Sequence, residues 1–294
     1  MLLALVTALV SGVSVWVNAS GVKEFGDPTV YTTAKNLVAA AVLVAIVAVR
    51  PGTDARLTRP ERPRQWLGLL AVGVVGGSVP FVLFFEGLAR AGSTQAAFLH
   101  KTLVLWVALL AVVLLRERLQ WGHWLAIGAL LLGQAGLAGG LPGALGAPEL
   151  LILAATLLWS VEVVVAKRLL TSLSSWTVGV ARMTLGSAAL VGWLAVRGRL
   201  GALTSMDGGQ VRWVLLTGLL LAAYVATWLA ALARAQAVDV TAVLVLAVPV
   251  TAVLQAVADG ATPGAQDGWQ LLLVAGGALV CWLGMRPRAV TARG

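Results

Sequence analysis

Apolar runs of membrane-spanning length follow one another from residue 2 to about residue 285, and no hydrophilic gap between them is long enough for a soluble domain. In lipid there is no water to satisfy backbone N–H and C=O groups, so each run must close its hydrogen bonds internally. For runs of about 20 residues the solution is a helix. The chain is therefore expected to be an all-α membrane protein. Ten transmembrane spans can be marked, at 2–20, 29–49, 66–89, 94–115, 121–139, 149–168, 175–196, 211–233, 238–257 and 268–285. The first, in MLLALVTALVSG, has no basic segment before it and is read as a true span, not a signal peptide.

Apolar residues make up 60% of the chain and charged residues 11%, too few to cover a soluble domain of 294 residues. The net charge of +9 would suggest a nucleic-acid partner if the basic residues formed a patch. Most of the Arg instead lies in short loops between spans. With the N-terminus inside, the inner segments 50–65, 116–120, 167–174, 234–237 and the tail from 286 carry 13 Lys and Arg, against 5 in the outer loops. That bias predicts a multi-pass protein with both termini cytoplasmic, its basic residues orienting it in a lipid bilayer and not binding nucleic acid. Lys35, Lys101 and Arg182 fall within spans.

The chain also repeats itself at an offset of about 144–147. LARA stands at 88–91 and again at 232–235. Lys35, in TAKNLVAAAVL, aligns with Arg182, in VARMTLGSAAL; Arg90 aligns with Arg234, and Trp124 with Trp269. An uncharged Gly/Pro-rich linker, GGLPGALGAP at 139–148, separates the units, giving expected domains of 1–139 and 149–286. Each unit has five spans, an odd number, so the second must enter the membrane with opposite polarity. Two inverted five-helix repeats are an architecture of secondary transporters, whose shared interface opens alternately to each side.

In these features the chain resembles the drug/metabolite transporter superfamily, EamA type. The resemblance rests on the two five-span units, on Asp27–Pro28 followed by Lys35, on the two LARA segments and on Pro249 in the ninth span. LLRERLQWGHWLAIGALLLGQAGL at 114–137 adds Glu117 as the acid before the last helix of a unit. Leu105 stands where the family has a proline in the fourth helix, and Asp259 where a glutamate is usual. The resemblance implies a ten-helix exporter of a small metabolite, such as an amino acid or a related zwitterion or anion.

Charges inside a bilayer are costly and therefore mark candidate sites. Lys101 lies about 10 Å inside its span, at 1.5 Å per residue. It is read either as a substrate-facing cation or as half of a structural ion pair. His100, about 100° around the helix, is read as a cross-helix hydrogen bond or a proton relay. Glu86 and Lys35 are expected at a depth similar to Lys101, with Glu162 and Arg182 in the opposite half. These two charged clusters either brace the two sides of a pathway or hold static ion pairs. Trp159, three residues before Glu162, the i,i+4 pair Tyr224 and Trp228, and Asn18 are candidates for the lining. Pro249 is a candidate kink. Trp66, Trp121, Trp124, Trp213 and Trp269 fall near span ends and read as interfacial anchors, as does His123 in WGHW. Gly128, Gly133, Gly136, Gly276 and Gly277 read as helix-packing or homodimer contacts.

No nucleotide-binding glycine loop with its Lys-Ser/Thr is present, and the two histidines are 23 residues apart. No cofactor, metal or catalytic constellation is expected, and the chain is read as a transporter and not an enzyme. An intramembrane enzyme or lipid-handling protein is the alternative. The single Cys281 cannot form an internal disulfide and reads as a packing residue.

Overall fold

The computed structural model describes residues 2–49, 56–88, 90, 99–119, 121–137, 145–259, 268 and 276. Helices account for all the regular structure among them: α1 (Leu2–Gly21), α2 (Pro28–Val49), α3 (Pro63–Leu88), α4 (Leu99–Leu115), α5 (Trp121–Leu137), α6 (Ala147–Leu169), α7 (Ser175–Val196) and α8 (Gly208–Arg234). A ninth, α9, comes in two pieces, Ala237–Leu244 and Ala247–Asp259. Each corresponds to one expected span. Six of them, α1, α2, α3, α6, α7 and α8, are long and apolar enough to cross a membrane; α4, α5 and α9 are shorter apolar helices. The expected span at 268–285, with Trp269, Gly277 and Cys281, lies outside the described residues except for Gly268 and Gly276.

Helix starts follow local chemistry. Asp27 Oδ1 accepts the Thr29 N–H at 2.8 Å, and Pro28, which has no N–H to lose, begins α2. Ser174 Oγ accepts the Thr177 N–H at 3.1 Å at the start of α7. Asp207 and Gln210 cap α8 reciprocally, at 2.8 and 3.2 Å. The break in α9 has an equally local cause. Pro249 has no N–H, and its ring crowds the carbonyl four residues earlier, on Val245. The helix interrupts at Val245–Leu246.

The core is largely apolar but holds a set of buried polar and charged side chains, and the outer face is apolar. Thr7, Thr32, Thr33, Asn36, Ser160, Glu162, Arg182 and Thr217 are buried, while Leu70, Leu132 and Leu219 point outward. Close helix contact is set by glycine. In α3 the backbone widens to a π turn over Val72–Gly76. A Cβ on Gly186 of α7 would stand 2.8 Å from the Cα of Gly77, and one on Gly76 would overlap the Glu162 carboxyl group. Such small-residue contacts let membrane helices approach backbone to backbone.

Helix pairing respects the repeat. The principal packings are α1 on α8, α3 on α6, α2 on α8, α3 on α7, α2 on α7, α1 on α9, α4 on α6, and α4 on α9. Exchanging α1–α4 for α6–α9 maps this set onto itself. Trp66 and Trp121 are exposed at helix ends, as anchors should be. His123 departs from the expectation: it is buried, with Nε2 3.2 Å from Asp239 Oδ1 of α9, a polar partner that holds the ring inward.

Candidate functional site

Eight helices, α1–α4 and α6–α9, line a cavity of about 200 Å³ in the middle of the bundle. Equivalent positions of the two halves meet in it. Lys35 and Arg182 line it, as do Val15 and Glu162, each pair 147 residues apart; so do His100 and Leu244, 144 apart. The cavity therefore lies where the repeats face each other. Its chemistry is not symmetric.

On the second-half side, Arg182 and Glu162 form a buried two-pronged ion pair. Arg182 Nε donates to Glu162 Oε1, and Nη2 donates to Oε2 at 3.2 Å. Nη2 also donates to the Gly76 carbonyl at 3.1 Å, and Trp159 Nε1 donates to the same oxygen at 3.1 Å. The π turn of α3 presents that carbonyl, and only glycine at 76 leaves room for the carboxylate beside it. The Arg182 guanidinium lies 5.7 Å from the Trp228 ring and 6.0 Å from Phe81. Tyr224 stacks on Trp228 at 6.2 Å, one helical turn away.

On the first-half side the cation has no such partner. Lys35 is only 6% exposed, and its Nζ donates to Asn18 Oδ1 at 2.8 Å. Tyr31 Oη donates to the same oxygen at 2.7 Å, and Asn18 Nδ2 holds the Ser14 carbonyl at 2.7 Å. Aromatic rings complete the shell: Tyr31 at 4.9 Å and Phe85 at 5.2 Å from Nζ, with Phe81 at 6.0 Å. Val15 occupies the position equivalent to Glu162, so the repeat supplies the cation twice and the carboxylate once. Among the described residues no carboxylate pairs with Lys35.

His100 packs edge-on against Trp159 at 5.0 Å and Phe84 at 5.2 Å, and its buried Nδ1 has no hydrogen-bond partner among the described residues. Lys101 lies off the main cavity. It lines a side cavity of about 60 Å³ that shares Ser11, His100, Leu103, Tyr224, Thr241 and Leu244 with the larger one. Val245, its equivalent in the second half, lines the same side cavity. That is the residue at which Pro249 interrupts α9.

Lys35, His100, Trp159, Glu162, Arg182, Tyr224 and Trp228 thus share one cavity, with Asn18 behind Lys35 and Lys101 in the extension. Glu86 stands apart from Lys35 and Lys101. It bonds Arg90 at 2.8 Å and approaches Arg197 to 3.7 Å; Arg197 and Arg199 each approach Asp27 to 3.7 Å. Pro249 does not line the cavity but shapes its edge. A second polar network lies at the opposite ends of the helices. Glu117 accepts the Ala237 and Val238 N–H groups at 2.8 and 3.4 Å, and Lys167 Nζ donates to the Leu232 and Ala235 carbonyls at 2.7 and 2.6 Å. Ser11, Ser14, Phe81 and Thr241 also line the cavity and went unremarked in the sequence. A signal existed for the first two: Thr7, Ser11, Ser14 and Asn18 form a polar stripe at helical spacing along an apolar run.

No curated protein matches the chain. A solved crystal structure of a protein shares its fold, with a TM-score of 0.76 at 21% identity, over 95% of this chain and 98% of that one. The sequence model of the EamA-like transporter family matches twice, over residues 1–138 and 147–283. Two matched halves, nine apolar helices among the described residues and a polar cavity between the halves lead to one conclusion: the chain belongs to the EamA-like transporter family, a family of multi-pass membrane transporters.

Proposed function

We propose that this protein is a secondary transporter of the inner or plasma membrane that exports a small carboxylate-bearing metabolite by alternating access. One observation carries the reading: the uncompensated Lys35 ammonium in a cavity shared by both halves. An ammonium removed from water without a counter-charge is costly, whereas Arg182 already has Glu162. A carboxylate arriving as cargo supplies what Val15 omits. Trp159, Tyr224, Trp228 and His100 offer surface for the apolar part of the cargo. The two inverted five-helix repeats rock about this site. The network of Asp27, Glu86, Arg197 and Arg199 closes one end, and that of Glu117, Lys167 and Asp239 the other. The positive-inside bias puts both termini in the cytoplasm. Glu162 is the carboxylate available to exchange a proton during the cycle.

Flux of radiolabelled amino acids and organic acids into proteoliposomes tests the reading. Lys35→Met, which keeps the stem and removes the charge, is expected to lower uptake at least tenfold while the protein still elutes as a folded species. Unchanged uptake by that variant would remove Lys35 from the pathway.

A further inference from the structure

The cation count of the cavity goes beyond one carboxylate. Of the chain's twelve Asp and Glu, nine have described side chains, and among these only Glu162 lines either cavity. Facing it are Arg182, Lys35 and, through the side cavity, Lys101. Glu162 is committed to Arg182 by two hydrogen bonds. Two ammonium groups are left over. Lys101 makes no hydrogen bond or ion pair among the described residues, and the nearby Nδ1 of His100 is buried and unpartnered. The six residues that line both cavities make them neighbours, with Lys35 on the larger and Lys101 on the smaller. Val245, at the position equivalent to Lys101, lines the same side cavity, and among the described residues no acid does.

We infer that the cargo is a small dicarboxylate, one carboxylate bound at Lys35 and the other reaching Lys101 in the side cavity. The inference rests on the transport reading for its physiological meaning but not for its test, which is binding. Size agrees: a cavity of about 200 Å³ has room for several waters and so for a small diacid.

Binding of succinate and glutamate, two carboxylates each, is compared with butyrate and leucine, one each, by calorimetry on the purified full chain in detergent. Succinate is expected to bind at least tenfold tighter than butyrate. Lys101→Met is expected to bring that ratio to near one, and Lys101→Arg to restore most of it, which a merely structural lysine would not do. Equal or tighter binding of the monocarboxylates overturns the inference, as does a ratio unaffected by Lys101→Met, or failure of all four compounds to bind. Flux in proteoliposomes separates the two claims. Preferential dicarboxylate binding without flux sinks the transport reading and leaves this inference standing. Flux of monocarboxylates alone does the reverse.

Discussion

Glu162→Gln exchanges a carboxylate for an amide of the same shape in the middle of the bundle. Glu162 is 2% exposed and Arg182 4%, so water cannot take over the lost charge. In the variant one oxygen becomes an NH₂ that points a donor at the guanidinium, itself all donors. Breaking a buried pair by removing one partner costs about 3–5 kcal/mol, because the other charge stays buried and unpaired. The retained amide oxygen recovers about one hydrogen bond, worth about 1 kcal/mol, leaving a loss of about 2–4 kcal/mol. That is about a 30- to 1,000-fold shift in the unfolding equilibrium. The assay is reversible unfolding by sodium dodecyl sulfate, followed by tryptophan fluorescence. The double variant Glu162→Leu with Arg182→Met removes both charges and is expected to recover most of the loss, a coupling that a double-mutant cycle reads directly. A wild-type midpoint for Glu162→Gln, or strictly additive losses, would refute the pairing argument. Full, pH-insensitive flux by the same variant would sink the coupling role of the carboxylate.

Gly186→Ala puts a Cβ 2.8 Å from backbone atoms of Gly77, which cannot swing aside, so a loss of about 1–3 kcal/mol is expected in the same unfolding assay. An unchanged midpoint would mean that α3 and α7 do not touch there. Glu117→Ala removes the acceptor for two N–H groups at the start of α9, expected to cost about 0.5–2 kcal/mol and to speed hydrogen exchange around residues 237–240; unaltered exchange would discount the cap. For orientation, a Cys281→Ser background carrying a single cysteine at the exposed Ser205 is expected to react with an impermeant maleimide in intact cells. One at the exposed Glu61 is expected to react only after permeabilisation, and the opposite pattern would reverse the topology.

Much of the fold was legible because the bilayer leaves few alternatives. A run of apolar residues has to be a helix there, and Asp27–Pro28, Ser174, Asp207 and Pro249 mark starts and breaks through the hydrogen bonds they can or cannot make. The charged residues within spans were also visible one by one, since each is expensive in lipid. Their partners were not. Glu86 belongs to an ion network with Arg90 and Arg197, not to the cluster of Lys35 and Lys101. Lys35, open to a static pairing from its sequence alone, has Asn18 and aromatic rings for company. His123, expected at the interface, turned inward to Asp239. Pairing depends on which helix faces of distant segments meet, and spacing along one helix carries no information about that.

The amino-acid order by itself determined the apolar runs and the duplication at an offset of 144–147. Those are local or translational properties, and hydropathy and periodicity express them directly. Only the tertiary structure decided that Val15 and Glu162 line one cavity, and Val245 and Lys101 its neighbour. The physical reason is that counter-charge is a property of three-dimensional neighbours. The duplication placed equivalent positions of the two halves around the cavity, and the sequence put charge at only some of them. The packing of eight helices then turned that inequality into an excess of positive charge, which a cargo carrying carboxylates is suited to balance.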